Sequence, residues 1–245
     1  MSDNIIRISA HIQNKFPLSK DVFSVQLRVP ASQSFNFRAG QYLLLVLNDE
    51  DKRPFSIAST PAELPNIYLH IRSIDNNPFT EQILQKLTES EYIDIEGPFG
   101  NCQLSGKSPN PVVFIVGGTG FAPAKSMLEQ FLEKYPDNQF SLYWGARTAE
   151  ELYHADLPLL WVNQYINFDY HPVISDPDPL WSGAKGLVHQ YAFQHLTSLL
   201  DTDFYLAGSI DMVKAIYLDL LKEGVSKENI HSDMLDILRA QGELI

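Results

Sequence analysis

The sequence has 245 residues and a net charge of −12, from 18 Lys and Arg against 30 Asp and Glu. Binding to nucleic acid rests on Lys and Arg at phosphates, so a chain this acidic is a poor candidate for it, and an anionic membrane surface repels it. One cysteine, Cys102, excludes a disulfide within the chain and an iron–sulfur cluster held by its own cysteines.

The opening stretch MSDNIIRISA lacks the basic head and apolar heart of a secretory leader. No apolar run reaches the roughly 18–20 residues of a membrane span. A cytoplasmic protein without nucleic-acid or membrane partners is the expectation. Ile5–Ile12 alternates apolar Ile6, Ile8, Ala10 and Ile12 with polar neighbours, the pattern of a half-buried strand. Val22–Val29 repeats it, and Pro30 stops it. Gln41–Leu47 reads as a third strand and Asn48–Asp51 as a turn. Further strands are expected at Phe55–Ala58, Ile67–Ile71 and Tyr92–Ile95. Strands at this spacing, with turn signals between them, predict a small antiparallel barrel. One helix interrupts it, with Thr80 as its N-cap and Ile83, Leu84 and Leu87 on one face.

Within this half, Arg53-Pro54-Phe55-Ser56 places a cation, a rigid turn, an aromatic ring and a hydroxyl on one strand edge. Arg53 suits a phosphate and Ser56 the edge of a heterocycle. A surface arginine and a satisfied serine would look the same. Gly97–Gly100 leads out of the barrel, and Ser105–Pro111, rich in Pro, Gly and Ser, reads as a linker. The expected division is 1–107 for the barrel and 108–245 for a second domain.

Val112–Val116 is unbroken apolar sequence, the mark of a strand buried on both faces. Gly117-Gly118-Thr119-Gly120 follows, and then Phe121-Ala122-Pro123 opens a helix that carries Met127, Leu128, Phe131 and Leu132. Pro123 fits its first position. Glycines admit close backbone approach, and a helix N-terminus offers free N–H groups to an anion such as a pyrophosphate. A sharp turn with no ligand uses the same residues, and the third glycine of Gly-x-Gly-x-x-Gly is missing. The flanking chain decides between them. Phe140–Trp144 is the next strand, ending in Gly145-Ala146-Arg147; Thr148–Glu151 fits a capping box. Strands at Phe168–Ile174 and Phe204–Gly208 and helices at Val188–Leu200 and after Ser209 complete the alternation. This predicts a doubly wound parallel sheet, with the strand ends at Gly117–Gly120, Gly145–Arg147 and Ala207–Ser209 lining one crevice. The histidines are scattered without metal-ligand spacing, so no metal site is expected.

Arg53-Pro54-Phe55-Ser56, Gly117–Pro123, Tyr143–Arg147 and Leu206–Ser209, in this order, resemble the motifs of the ferredoxin–NADP reductase superfamily. The run Asp51–Pro61 is most similar to the single-chain NAD(P)H:flavin reductases of the Fre and LuxG type. The resemblance implies a flavin-binding barrel followed by an NAD(P)-binding domain, and hydride transfer from NADH or NADPH to FAD, FMN or riboflavin. It implies that Arg53, Pro54, Phe55, Ser56 and Thr80 hold the flavin, with the backbone of His70, Ile71 and Arg72 at the ring edge. Gly117, Gly118, Thr119, Gly120 and Pro123 would receive the nicotinamide and its pyrophosphate, with Gly145 and Arg147 along the nucleotide. Ala207, Gly208, Ser209 and Met212 would close the nicotinamide side. Ser56 and Thr119 would stand nearest the reacting atoms. The departures are Phe55 in place of a common Tyr, Asn77 in place of a glycine before the barrel helix, Ala207 in place of a common Cys, and no stacking aromatic in Asp233–Leu238. Each weakens the hold on flavin, so an exchanging flavin is the expectation. An FAD-bound reductase serving a protein acceptor and a non-enzymatic nucleotide-binding module are the alternatives.

Overall fold

The computed structural model describes residues 5–104 and 106–243. The first residues of the expected leaderless start and Ser105 of the expected linker lie outside the described residues.

The first half contains β1 (Ile6–Pro17), β2 (Val22–Arg28), β3 (Tyr42–Val46), β4 (Lys52–Ser56), β5 (Asn66–Arg72), α1 (Pro78–Glu89) and β6 (Tyr92–Phe99). The strands form one six-stranded sheet in the order β4-β3-β6-β1-β2-β5, antiparallel throughout. Its two edges meet where Ile57 bridges Leu69 and the Ala58 N–H donates to the Tyr68 carbonyl at 2.7 Å. That closes the barrel, and closure removes the exposed edges an open sheet would leave. The alternation read from the sequence decides what points inward: Ile8 and Ala10, Val25 and Leu27, Leu43 and Leu45, and Ile93 and Ile95 are all buried in one core. Ile83 and Leu87 of α1 join that core.

The start of α1 differs from expectation. Asn77 is the N-cap, its side-chain oxygen accepting the Phe79 N–H, and Pro78 follows at the first position. Thr80 lies inside the first turn, where its hydroxyl bonds the Asn77 carbonyl and accepts the Ile74 N–H. Asn before Pro is the stronger start signal, since the proline needs no N–H partner there. Gly97 and Pro98 also stay within β6, which leaves the barrel only after Phe99.

The second half runs β7 (Val112–Gly117), α2 (Phe121–Phe131), β8 (Phe140–Ala146), α3 (Asp156–Gln164), β9 (Phe168–Ile174), β10 (Ala184–Lys185), α4 (Val188–His195), β11 (Asp203–Ala207), α5 (Ile210–Lys222), β12 (Ile230–His231) and α6 (Asp233–Ala240). All six strands are parallel, in the order β10-β9-β8-β7-β11-β12. β7 is central and fully buried until its final glycine. Val112, Phe114 and Val116 face α2 and α3, and Val113 and Ile115 face α4, α5 and α6. This is the doubly wound sheet expected from the alternation of strands and helices. The two edge strands have two residues each, too short to leave a periodic signal.

Three helix expectations are corrected. Thr148–Glu151 makes one tight turn without a side-chain cap bond, and the helix proper begins at Asp156. Glu151 bonds the Arg147 backbone N–H and guanidinium instead. The helix from Val188 ends at His195, where Leu196 turns extended. Pro123 occupies the third position of α2, still within the first turn, where no N–H has an intrahelical partner.

Candidate active site

The order of the parallel sheet sets where a ligand belongs. Strands β8, β9 and β10 lie on one side of β7, and β11 and β12 on the other. The switch falls between β7 and β11, so the turns leaving their carboxyl ends, Gly117–Gly120 and Ala207–Ser209, flank an open crevice. The barrel covers that crevice from the other side.

Hydrogen bonds sew the two halves together beside it. Ser126 of α2 donates through its hydroxyl to the Ser59 carbonyl at 2.6 Å, and Lys125 Nζ donates to the Ala58 carbonyl at 3.2 Å. His70 of β5 meets Tyr153 at 2.9 Å. The Asp233 carboxylate, at the start of α6, accepts the N–H groups of Asn101 and Cys102, where the chain leaves the barrel, at 2.7 and 2.9 Å. Burial holds the Asp233 carboxyl above its usual range, and the two backbone donors work against that rise.

Between the halves lies a cleft of about 940 Å³. The barrel wall brings Pro54, Phe55, Ser56, His70, Arg72 and Thr80 to it. The opposite wall brings Gly117, Gly118, Thr119, Gly120 and Pro123, then Gly145 and Arg147, and Ala207, Gly208, Ser209 and Met212. Two residues from the sequence reading stand off the cleft. Ile71 points into the barrel core, fully buried, so only its backbone faces the wall. Arg53 is turned into the β4–α1 junction: Nε lies 2.7 Å from Asp51 Oδ1, and the remaining donors go to Asp51 Oδ2, Gln82 and the Pro78 and Phe79 carbonyls. Its guanidinium also stacks over the Phe79 ring.

The glycine turn is built for close approach. Gly118 has φ +52°, and a Cβ there would face the Arg72 guanidinium at 3.5 Å. A Cβ on Gly120 would meet the Ala207 carbonyl oxygen at 2.3 Å, so the turn after β7 comes this close to the end of β11 only because that position has no side chain. Beneath the turn, Phe121 and Trp144 stack at 4.0 Å, and Trp144 Nε1 donates to the Gly118 carbonyl at 3.2 Å. Ser209 caps α5 by accepting the Met212 N–H, so free N–H groups of a helix start also face the cleft.

Charge is concentrated on one side. Arg72 crosses from the barrel toward the glycine turn, with Asp21 Oδ2 3.2 Å from Nε and Glu151 Oε2 3.8 Å from Nη1. Its Nε and Nη2 are buried and make no hydrogen bond. A guanidinium with buried N–H groups left without a hydrogen bond, beside glycines that leave room for close approach, suits the phosphates of a dinucleotide, and the cleft of about 940 Å³ opens between them and the barrel wall. FAD and a nicotinamide dinucleotide therefore fit the residues present. Burial first, then the proximity of Lys125 and His154, lower the His70 pKa to about 3, so this imidazole is neutral at working pH.

The sequence reading missed the deep end of the cleft, where Gly40, Cys102, Ser232, Asp233 and Met234 gather, and the rim residue Ser175; Glu151, close to Arg147 in the sequence, gave there only a mixed signal between NADH and NADPH. A signal existed for the first group: Ser232-Asp233 followed by Met234, Leu235 and Leu238 is a helix start, and Ser232 does cap α6. Ser175 follows the end of a correctly expected strand, where the strand-end rule would have placed it.

Two family profiles match the chain, an oxidoreductase FAD-binding domain over residues 9–104 and an oxidoreductase NAD-binding domain over residues 114–217. The chain is 34% identical to a CDP-6-deoxy-L-threo-D-glycero-4-hexulose-3-dehydrase reductase of Yersinia pestis, over 91% of this chain and 70% of that protein. It is 31% identical to a terephthalate 1,2-dioxygenase reductase component of Comamonas, over 93% and 68%. Identity to an NAD(P)H-flavin reductase of Vibrio harveyi is 32%, over 85% and 89%. Among solved structures, the Amycolatopsis cytochrome P450 reductase GcoB shares the fold with a TM-score of 0.84 at 24% identity, over 95% of this chain and 72% of that one. Among the described residues no helix is long and apolar enough to cross a membrane. The two halves, the cleft between them and these relatives lead to one conclusion: the chain belongs to the ferredoxin-reductase-like superfamily of FAD- and NAD(P)-dependent oxidoreductases.

Proposed function

We propose that the protein holds FAD against its barrel wall, receives a hydride from a nicotinamide dinucleotide on its glycine turns, and delivers the electrons to a protein acceptor. The observation that carries this reading is the single cleft whose facing walls are Pro54–Ser56 and Gly117–Gly120. FAD, when bound, supplies a ring that accepts two electrons together and releases them singly. The chain supplies orientation. Phe55 and Ser56, with Thr80 and the backbone of His70, Ile71 and Arg72, form the flavin wall. Ser56 offers its hydroxyl to the ring nitrogen that takes up the hydride. Thr119 and the N–H groups around Gly118 and Gly120 place the nicotinamide, with Pro123, Ala207, Gly208, Ser209 and Met212 around it. Gly145 and Arg147 follow the nucleotide outward. No general base would be needed for a hydride transfer, so the part left to the two walls would be to hold flavin and nicotinamide face to face. We place the division between the flavin half and the nucleotide half at residues 107 and 108.

The relatives support a protein acceptor: one is named as a reductase component of a dioxygenase, another as the reductase of a dehydrase. With one cysteine, these 245 residues cannot bind an iron–sulfur cluster through their own thiolates, so a cluster in the electron path would lie outside them. Ile74 and Phe79, 47% and 42% exposed, form an apolar lip on the barrel side of the cleft where an acceptor would come close.

A second reading, reduction of free flavin that exchanges at each turnover, draws support from Arg53. Its donors are committed to Asp51, Gln82 and the start of α1, so it reaches a flavin phosphate only by leaving them. Gel filtration separates the two readings. A yellow protein that keeps stoichiometric FAD through the column supports the electron-transfer component. A colourless protein whose NADH oxidation saturates with added flavin in the micromolar range overturns that reading in favour of exchange.

A further inference from the structure

The carboxyl ends of β8 and β9 form the outer rim of the cleft. Arg147 follows β8 with its side chain 77% exposed, whereas Glu151 is only 17% exposed. Glu151 grips the guanidinium, with Oε1 2.7 Å from Nη2 and 2.9 Å from Nε. Its second oxygen accepts the Arg147 backbone N–H at 3.2 Å and lies 3.8 Å from Arg72 Nη1. Asp176 follows β9 and donates its N–H to the Arg147 carbonyl at 2.8 Å. The carboxylates of Glu151, Asp21 and Asp176 all strengthen the hold of Arg147 on its proton, Glu151 most. Two guanidiniums, Arg72 and Arg147, thus sit among three carboxylates, Asp21, Glu151 and Asp176.

In a doubly wound sheet the residues at such strand ends read the adenosine ribose. A carboxylate accepts the ribose hydroxyls of NADH, and a free guanidinium accommodates the 2′-phosphate of NADPH. The guanidinium here is not free. An exposed ion pair is weak and would ordinarily yield to a phosphate. Glu151 is different, because a backbone bond and a second guanidinium keep its charge in place even if Arg147 swings away. A 2′-phosphate would then lie beside a fixed carboxylate, with Asp176 close by.

We propose that Glu151, pinned on Arg147, makes this protein selective for NADH over NADPH. The inference rests on the placement of the nucleotide along the glycine turns proposed above. One unit charge removed within about 6 Å of a phosphate shifts binding about threefold at the dielectric of water and about a hundredfold at that of a protein surface, so an exposed rim site falls between them, on the order of tenfold.

The test uses the full chain reconstituted with FAD. Ferricyanide serves as electron acceptor, so the result does not depend on finding a protein partner. Calorimetric titration with 5′-AMP and 2′,5′-ADP reads the ribose site without turnover. NADH should exceed NADPH in kcat/KM by about tenfold or more, and 5′-AMP should bind more tightly than 2′,5′-ADP. Glu151→Gln should raise the affinity for 2′,5′-ADP by about tenfold, and adding Arg147→Ala should abolish that gain. Asp176→Asn should act in the same direction as Glu151→Gln and stands in for it if that variant does not fold. A wild-type preference for NADPH overturns the proposal, as does 2′,5′-ADP affinity unmoved in the folded variants. If neither fragment binds, the nucleotide placement falls and this proposal with it.

Discussion

His70 and Tyr153 meet across the junction of the two halves, imidazole Nδ1 to phenol oxygen at 2.9 Å, with both side chains buried. One comes from the last barrel strand before α1 and the other from the segment leading into α3. The rings are nearly perpendicular at 5.4 Å, and Phe121, which opens α2, packs against both. Burial raises the Tyr153 pKa and lowers that of His70 to about 3, so the bond joins two neutral groups at neutral pH.

That pairing predicts a pH dependence. The folded state keeps His70 neutral down to about pH 3, whereas the unfolded chain protonates it near 6.5. Between those values the unfolded state binds more protons, so stability falls as pH falls. The loss from His70 alone should be about 2 kcal/mol between pH 6.5 and pH 5. Glu129 and Asp233, whose pKa values burial raises, work in the opposite direction. Urea denaturation at both pH values, compared with His70→Gln, isolates the histidine, and the variant should lose less stability over that interval. Parallel losses in the two proteins would remove His70 as the cause.

Ser56→Ala should lower turnover by about ten- to a thousandfold, the scale of one lost donor beside the reacting atoms. The dissociation constant for NAD⁺ should change little, because Ser56 stands on the barrel wall, across the cleft from the glycine turns. Stopped-flow reduction of the flavin by NADH reads the step directly. An unchanged reduction rate would exclude Ser56 from it.

At Gly120, an alanine would bring its Cβ to 2.3 Å from the Ala207 carbonyl oxygen, and a backbone oxygen cannot rotate aside. Gly120→Ala should cost about 1–3 kcal/mol in folding, the range for overpacking, and weaken NAD⁺ binding by spreading the turns after β7 and β11. Thermal unfolding and an NAD⁺ titration of the folded fraction test the two effects separately. A variant as stable as wild type would show that the turns are not in close contact.

Arg53→Ala should act first on folding. Its guanidinium ties β4 to the first turn of α1 through Asp51, Gln82 and the Phe79 carbonyl, and charge-assisted bonds of this kind contribute about 1.5–3 kcal/mol each. A lowered melting temperature in the flavin-free protein is the expected result. If the flavin-free variant melts with wild type, Arg53 does not hold this junction.

Much of the fold was legible because its signals are local. Val112–Val116 is apolar without a break, and Ile6–Ile12 alternates, so each stretch announces how many of its faces are covered. The glycines of Gly117–Gly120 marked one wall of the cleft and Pro54–Ser56 the other. What escaped depends on distance in space. Nothing near Arg53 in the chain says that Gln82 will take up its donors. Thr148–Glu151 has the spacing of a capping box, yet Glu151 finds a better partner in Arg147, which precedes the box. Asp233 lies 132 residues after Asn101, and only the closed structure brings its carboxylate to that N–H.

The stitch from α2 to the stretch after β4 works as a ruler. Ser59 and Ala58 accept bonds from Ser126 and Lys125. Ser59 is three residues beyond Ser56, and Ser126 lies about one and two-thirds helical turns beyond Gly120. The gap between the hydroxyl of one wall and the glycines of the other is therefore gauged by two hydrogen bonds and a few residues of stiff backbone. Drift elsewhere, in the distant barrel strands or the outer helices, would leave that gap at its set width.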